Sequence, residues 1–232
     1  MGRMVSFKAN GRAGDGYLAT PRGGRGPAVV VIQEWWGLVD HITDLCERIS
    51  YEGFFALAPD LYHGEKTKSP DEAGKLMMAM NIGEAAKDMY GAANYLIALD
   101  GSAPKKVAAI GFCMGGQLAL SAACEFPELF AAAVDFYGLH PQVKPDVSRL
   151  SGPVQFHFAN RDKSTPPDKA NALIQQIRDA GKEVEPYFYD ADHAFFNDTR
   201  PTVYNEEAAK LAWERTLAFL KRWSGETVKT AS

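Results

Sequence analysis

The chain has 232 residues, 46% of them hydrophobic, and a formal net charge of −4 with acidic and basic residues dispersed along it. That length fits a single α/β domain (1–232) with a substantial core, and the weak, unclustered charge leaves no electrostatic footprint for nucleic acid or an anionic membrane. No apolar run approaches the roughly 18 residues needed to span a bilayer, and the opening MGRMVSFKANG has no signal-peptide core, so the expectation is a cytoplasmic monomer or weak homodimer with a small-molecule partner.

Short β-branched or aromatic runs alternate with helical patterns from end to end, the signature of βαβ units around a mostly parallel sheet with helices on both faces. VSFKA (5–9) and DGYLATP (15–21), joined through a Gly-rich turn, predict an antiparallel edge pair. AVVVIQE (28–34), FFALAPD (54–60), KVAAIGF (106–112), AAAVDFYG (131–138), PVQFHFANRD (153–162) and VEPYFYDAD (184–192) follow. Each is near-continuously apolar, as strands buried on both faces should be, which makes eight strands. Helices are expected at about 40–51, 83–99, 114–125, 168–180 and 203–223. Residues 63–75, polar and turn-rich, read as an excursion over the top of the sheet, and residues 224–232 as a frayed tail.

In open α/β sheets functional groups gather beyond the carboxyl ends of the strands. Four strands deliver chemistry there: one ends at Gln33 and Glu34, one at Cys113, one at Asp162 and one at His193. IGFCMGG (110–116) has the shape of G-x-S-x-G, the strand-to-helix turn that exposes the nucleophile of α/β-hydrolases, with Cys113 in place of serine. Nucleophile, acid and histidine also follow in that fold's chain order. Cys113 would attack an acyl carbon, His193 would hold the thiol proton, and Asp162 would orient the imidazole. Asp190 and Asp192 compete for the acid role, and His140 is the main rival base, ahead of His63 and His157. The other cysteines, Cys46 and Cys124, have neither zinc nor C-x-x-C spacing and read as small buried hydrophobes on helices. Neither a metal nor an organic cofactor is expected.

IGFCMGGQLAL, with IQEWWG upstream and FANRD and DADHAFFNDTR downstream, resembles the dienelactone hydrolase family of cysteine-dependent α/β-hydrolases, over nearly the whole chain. The resemblance implies cleavage of a small lactone or ester, as by a carboxymethylenebutenolidase, with Cys113, Asp162 and His193 as triad. It also implies that Glu34 lies against the resting thiol until substrate displaces it, opposing ionisation by like-charge repulsion. The oxyanion donors would be the amides of Met114 and Trp35. Trp36, Tyr62, Tyr137, Phe195, Phe196 and Asn197 are candidate pocket residues.

The chain departs from the family at the substrate anchors. One arginine expected four residues after the histidine is Asn197 here, and no arginine occurs between Arg48 and Arg149, where the other belongs. Lys66, Lys68, Lys75 or Arg200 are the substitutes the sequence offers. Without a cation in the pocket, an uncharged ester, lactone or thioester suits it as well as dienelactone. A weakly catalytic homologue that binds a ligand or senses oxidation is the alternative of a different class.

Overall fold

The computed structural model describes residues 2–9 and 11–225. Eight strands, β1 (Arg3–Ala9), β2 (Arg12–Ala19), β3 (Gly26–Ile32), β4 (Phe55–Pro59), β5 (Ser102–Phe112), β6 (Phe130–Phe136), β7 (Val154–Ala159) and β8 (Val184–Tyr189), form one sheet in the order β1-β2-β4-β3-β5-β6-β7-β8. β1 and β2 are the expected antiparallel pair, and β2 also runs antiparallel to β4. From β4 to β8 every pairing is parallel. This is the α/β-hydrolase arrangement.

Because successive strand side chains point to opposite faces, each central strand feeds two cores. Ala28, Val30 and Ile32 of β3 join the core shared with α3 (Ile82–Ala98), α4 (Met114–Glu125) and α5 (Pro167–Asp179), whereas Val29 and Val31 join the one shared with α1 (Asp40–Tyr51) and α6 (Glu206–Ser224). The helices bury one stripe each. Ile42, Leu45, Cys46 and Ile49 of α1, and Ala170, Leu173, Ile174 and Ile177 of α5, keep the i, i+3, i+4, i+7 spacing that faces a sheet. Cys46 and Cys124 are buried in these cores as free thiols, and burial pushes both pKa values up.

Several boundaries differ from the sequence expectation: β5 starts earlier, at Ser102, and α6 later, at Glu206, and two further differences have a clear local cause. The polar stretch 63–75 is a loop only in its first half, because α2 (Pro70–Ala79) starts within it. Ser69, Pro70, Asp71 and Glu72 supply the start: an N-cap position, a proline at the first helical site and an acidic first turn. Only Ala73 of α2 is fully buried, with Leu76 and Met77 packing partly against the core, so its apolar stripe is too thin to announce a helix. At the other end Ser224 is still helical and Gly225, at φ 77°, closes α6; residues 226–232 of the expected tail lie outside the described residues. No described helix is long and apolar enough to cross a membrane.

His157, mid-strand in β7, is fully buried. It hydrogen-bonds the hydroxyl of Tyr189 at 2.8 Å, Gln155 at 2.9 Å and Thr216 of α6 at 3.0 Å, while stacking on Phe136 with 4.4 Å between ring centroids. Burial, with the charge of Arg215 second, holds its pKa well below the ordinary value. The unfolded chain takes up this proton near the usual pKa of about 6.5 and the folded chain does not. The histidine's contribution is therefore complete above that pH and is lost as pH falls below it. Urea titrations at pH 8 and pH 5.5 are expected to show wild type losing more stability on acidification than His157→Gln, which starts lower but falls less; equal losses in both would discharge His157 of this role.

Candidate active site

The G-x-C-x-G pattern has a steric reason. A Cβ at Gly111 would lie 1.8 Å from the carbonyl oxygen of Gly115, and one at Gly115 would lie 2.4 Å from the carbonyl oxygen of Gln33. Only at that distance does α4 start directly against the ends of β3 and β5. Cys113, at the turn between, adopts φ 55° and ψ −125°, which lifts its side chain above the sheet. Its N–H donates to Phe136 O at 2.9 Å and its carbonyl accepts from Gly116 N at 2.9 Å. Met114 follows as the first residue of α4, so its N–H is one of those a helix leaves without an internal partner.

Three side chains meet at this turn. His193 Nε2 is 3.3 Å from Cys113 Sγ, and His193 Nδ1 is 2.7 Å from Asp162 Oδ2. Asp162, buried, uses its other oxygen to accept from the amides of Ser164 at 2.7 Å and Thr165 at 2.8 Å. The carboxylate is thereby fixed by backbone donors. Burial lowers the pKa of His193, but the hydrogen bonds and charges of Asp162 and Cys113 outweigh it and raise the value to about 10. The rival residues stand elsewhere. Asp190 and Asp192 are exposed partners of Arg161, His63 pairs with Asp88 at 2.8 Å, His157 lies inside the sheet, and His140 is buried with Nδ1 accepting from Gln142 N at 3.2 Å.

Glu34 is buried and faces the cleft, yet its hydrogen bonds go to Asn197, whose Nδ2 donates at 2.8 Å, and to the Tyr137 hydroxyl at 3.5 Å. The thiol's partner is His193. Among the described hydrogen bonds, none joins the thiol to Glu34.

Above Cys113 opens a cleft of about 230 Å³ whose lining includes Glu34, Trp35, Trp36, Met77, Met114, Leu139, Pro141, His193 and Arg200. Trp36 lines it as expected; five other candidates do not. Tyr62 is buried with its hydroxyl on Met114 Sδ at 3.3 Å. Tyr137 is fully buried, edge-on to His193 and Phe195. Phe195 packs on Tyr189, and Phe196 on Phe112 and Phe136, so both serve the core. Asn197 is spent on Glu34. Met77, Leu139 and Pro141 escaped the sequence reading because their neighbours only become neighbours through the fold.

Of the four substitute cations, Arg200 reaches the cleft. Its guanidinium lies 5.3 Å from the Trp36 ring centroid, a cation–π contact. Its charge also acts on Tyr137, opposing burial, Glu34 and Cys113, which together push that phenol's pKa well up.

The glycine requirement is testable. Gly115→Ala is expected to lose about 1–3 kcal/mol or more of stability through overpacking against strand backbone, whereas Gly74→Ala in α2, with open space around its Cβ position, gains about 0.4–1 kcal/mol. Urea unfolding of both variants checks the contrast, and a neutral Gly115→Ala would refute the close-approach argument.

Comparison with known proteins identifies the family. The model of the Dienelactone hydrolase family matches residues 15–224. "Protein usf" of Aquifex pyrophilus is 39% identical over 230 residues, covering 96% of this chain and 99% of that protein. A protein of Aquifex aeolicus named "Putative carboxymethylenebutenolidase" is 36% identical with the same coverage. The crystal structure of a "Putative Dienelactone Hydrolase" from Klebsiella pneumoniae superposes with a TM-score of 0.85 at 30% identity, over 96% of this chain and 98% of that one. The chain belongs to the dienelactone hydrolase family and is a hydrolase.

Proposed function

We propose that the protein cleaves a small ester or lactone through an acyl-enzyme on Cys113, with His193 and Asp162 completing the triad. The observation that carries this reading is the unbroken contact from Asp162 through His193 to Cys113 at the base of the cleft. Asp162 and Cys113 together raise the imidazole pKa to about 10 against the effect of burial, and His193 Nε2, 3.3 Å from Sγ, is placed to hold the thiol proton while the sulfur attacks.

Attack forms the S–C bond and moves the carbonyl electron pair onto oxygen, where the amides of Met114 and Trp35 are the proposed donors, each worth about 3–4 kcal/mol. Collapse breaks the C–O bond, and the leaving oxygen takes its proton from His193. Water then attacks the thioester, giving a proton to His193, and collapse breaks the C–S bond, releasing the carboxylic acid and leaving the sulfur beside the proton held on His193, as at the start of the cycle. Asp162 keeps the imidazole oriented and stabilises its charged form. In a lactone both products are one molecule, so the released acid carries the former leaving oxygen.

The cleft also selects. Its walls are largely apolar, and the cation among its lining residues is Arg200. A planar fork matches a carboxylate, so the favoured substrate is a small lactone or ester bearing one, as dienelactone does. Uncharged esters use the same chemistry without this anchor.

Hydrolysis of a dienelactone, a neutral lactone and short p-nitrophenyl esters tests both parts. Cys113→Ala is expected to lose at least a thousandfold in kcat on every substrate, and wild type to show a burst with activated esters. If Cys113→Ala matches wild type, the acyl-enzyme is wrong and a ligand-binding role takes its place. Arg200→Met is expected to raise KM for the dienelactone roughly 10- to 100-fold, the range of a charged hydrogen-bonded pair, with the p-nitrophenyl esters unchanged. Neutral substrates outrunning dienelactone in wild type would keep the mechanism and discard the carboxylate anchor.

A further inference from the structure

We infer that the fold holds a second ligand site, a cavity between α1 and α6 that takes a small carboxylate with an apolar body. The cavity has a volume of about 260 Å³ and shares no lining residue with the cleft above Cys113. Arg48 of α1, Asp198 and Tyr204 from the loop before α6, and Glu206, Lys210 and Trp213 of α6 carry its chemistry. The inference does not depend on which residue is the nucleophile.

The Arg48 guanidinium lies 4.8 Å from the ring centroid of Trp213 and 5.3 Å from that of buried Phe196. These ring contacts place the charge without using its N–H groups. Its carboxylate neighbour, Asp198, stands 3.7 Å from Nη1, beyond hydrogen-bond distance, and an exposed pair of that length is weak. Arg48 accordingly has no side-chain hydrogen bond among the described residues. Lys210, which is exposed, makes no ion pair among them, and the hydroxyl of Tyr204 makes no hydrogen bond. Three unfilled donors thus line one cavity with an aromatic wall. All three suit the oxygens of a carboxylate, and the guanidinium meets them as a planar fork.

Asp198 does not block this site. Nδ1 of buried His41 lies 3.4 Å from Asp198 Oδ1, so the aspartate keeps a polar neighbour when the guanidinium turns to a ligand. Asp198 and Glu206 balance Arg48 and Lys210 in formal charge, which favours a single carboxylate over a dianion such as a phosphate monoester. The volume sets the size. It falls below the roughly 300 Å³ at which pockets for drug-sized ligands begin, so the ligand is a single ring or a short chain, its apolar part against Trp213 and Phe196.

The test is titration of the full chain with benzoate, followed by the indole N–H resonances of isotope-labelled protein, the Trp213 signal being assigned by its loss in Trp213→Phe. The indoles of Trp35 and Trp36, assigned in the same way, report binding in the cleft separately. Wild type is expected to show a saturable shift of the Trp213 signal. Lys210→Met, at an exposed position, and Arg48→Met, which keeps an apolar stem on the two rings, are each expected to weaken benzoate about tenfold or more, the effect of losing a charged hydrogen bond. Benzyl alcohol, with the same ring and no charge, is expected to leave the Trp213 signal unsaturated where benzoate saturates it. The inference is overturned if benzoate shifts only the indoles of Trp35 and Trp36, if benzyl alcohol saturates the Trp213 signal as benzoate does, or if either variant, folded, binds benzoate with wild-type affinity. Should Arg48→Met fail to fold, Lys210→Met decides.

Discussion

Cys113 is held at φ 55°, a backbone region that costs a residue with a side chain about 1–3 kcal/mol, and the site depends on that turn being held. Its compensation is distributed. β6 receives the Cys113 amide, the next turn of backbone closes on the Cys113 carbonyl, and two glycines let α4 start against the ends of β3 and β5. The strain has two consequences at once. It raises the sulfur to the level of His193, beyond the end of β8, and it sets the first amide of α4, that of Met114, directly after the cysteine. A relaxed turn would give up both, because the same two dihedral angles set the thiol and the donor.

Much of this was legible in the sequence because a parallel sheet converts chain order into position. Residues that end consecutive apolar runs must arrive at one rim, so Glu34, Cys113, Asp162 and His193 were identifiable before any distance was known. What stayed illegible depends on rotation about a local axis. Phe195 and Phe196 follow His193 immediately, but the turn there aims both rings into the core against Tyr189, Phe112 and Phe136. Tyr137, itself at positive φ, is turned beneath the cleft. Helix α2 shows the opposite failure: its start signals were present in Ser69-Pro70-Asp71-Glu72, but a helix that buries a single residue completely carries almost no apolar period. Among four candidate cations nothing in the sequence singles out Arg200, since its selection comes from stacking on a tryptophan of another strand end.

The segment from His193 to Arg200 brings these threads together. It supplies the imidazole at its start, the Glu34 tether at its centre and the cleft's cation at its end, and its folding is local: Asn197 N donates to Ala194 O at 3.0 Å and Arg200 N to Asn197 O at 3.1 Å. Phe195 and Phe196 root it in the core, and Asn205 N, bonded to Phe195 O at 3.0 Å, ties it to the start of α6. His193, the partner of Glu34 and the cation that lines the cleft thus come from one short segment. Position 197, where the family resemblance implies an arginine, holds an asparagine that donates to Glu34. Arg200, three residues later on the same segment, lines the cleft from beside Trp36.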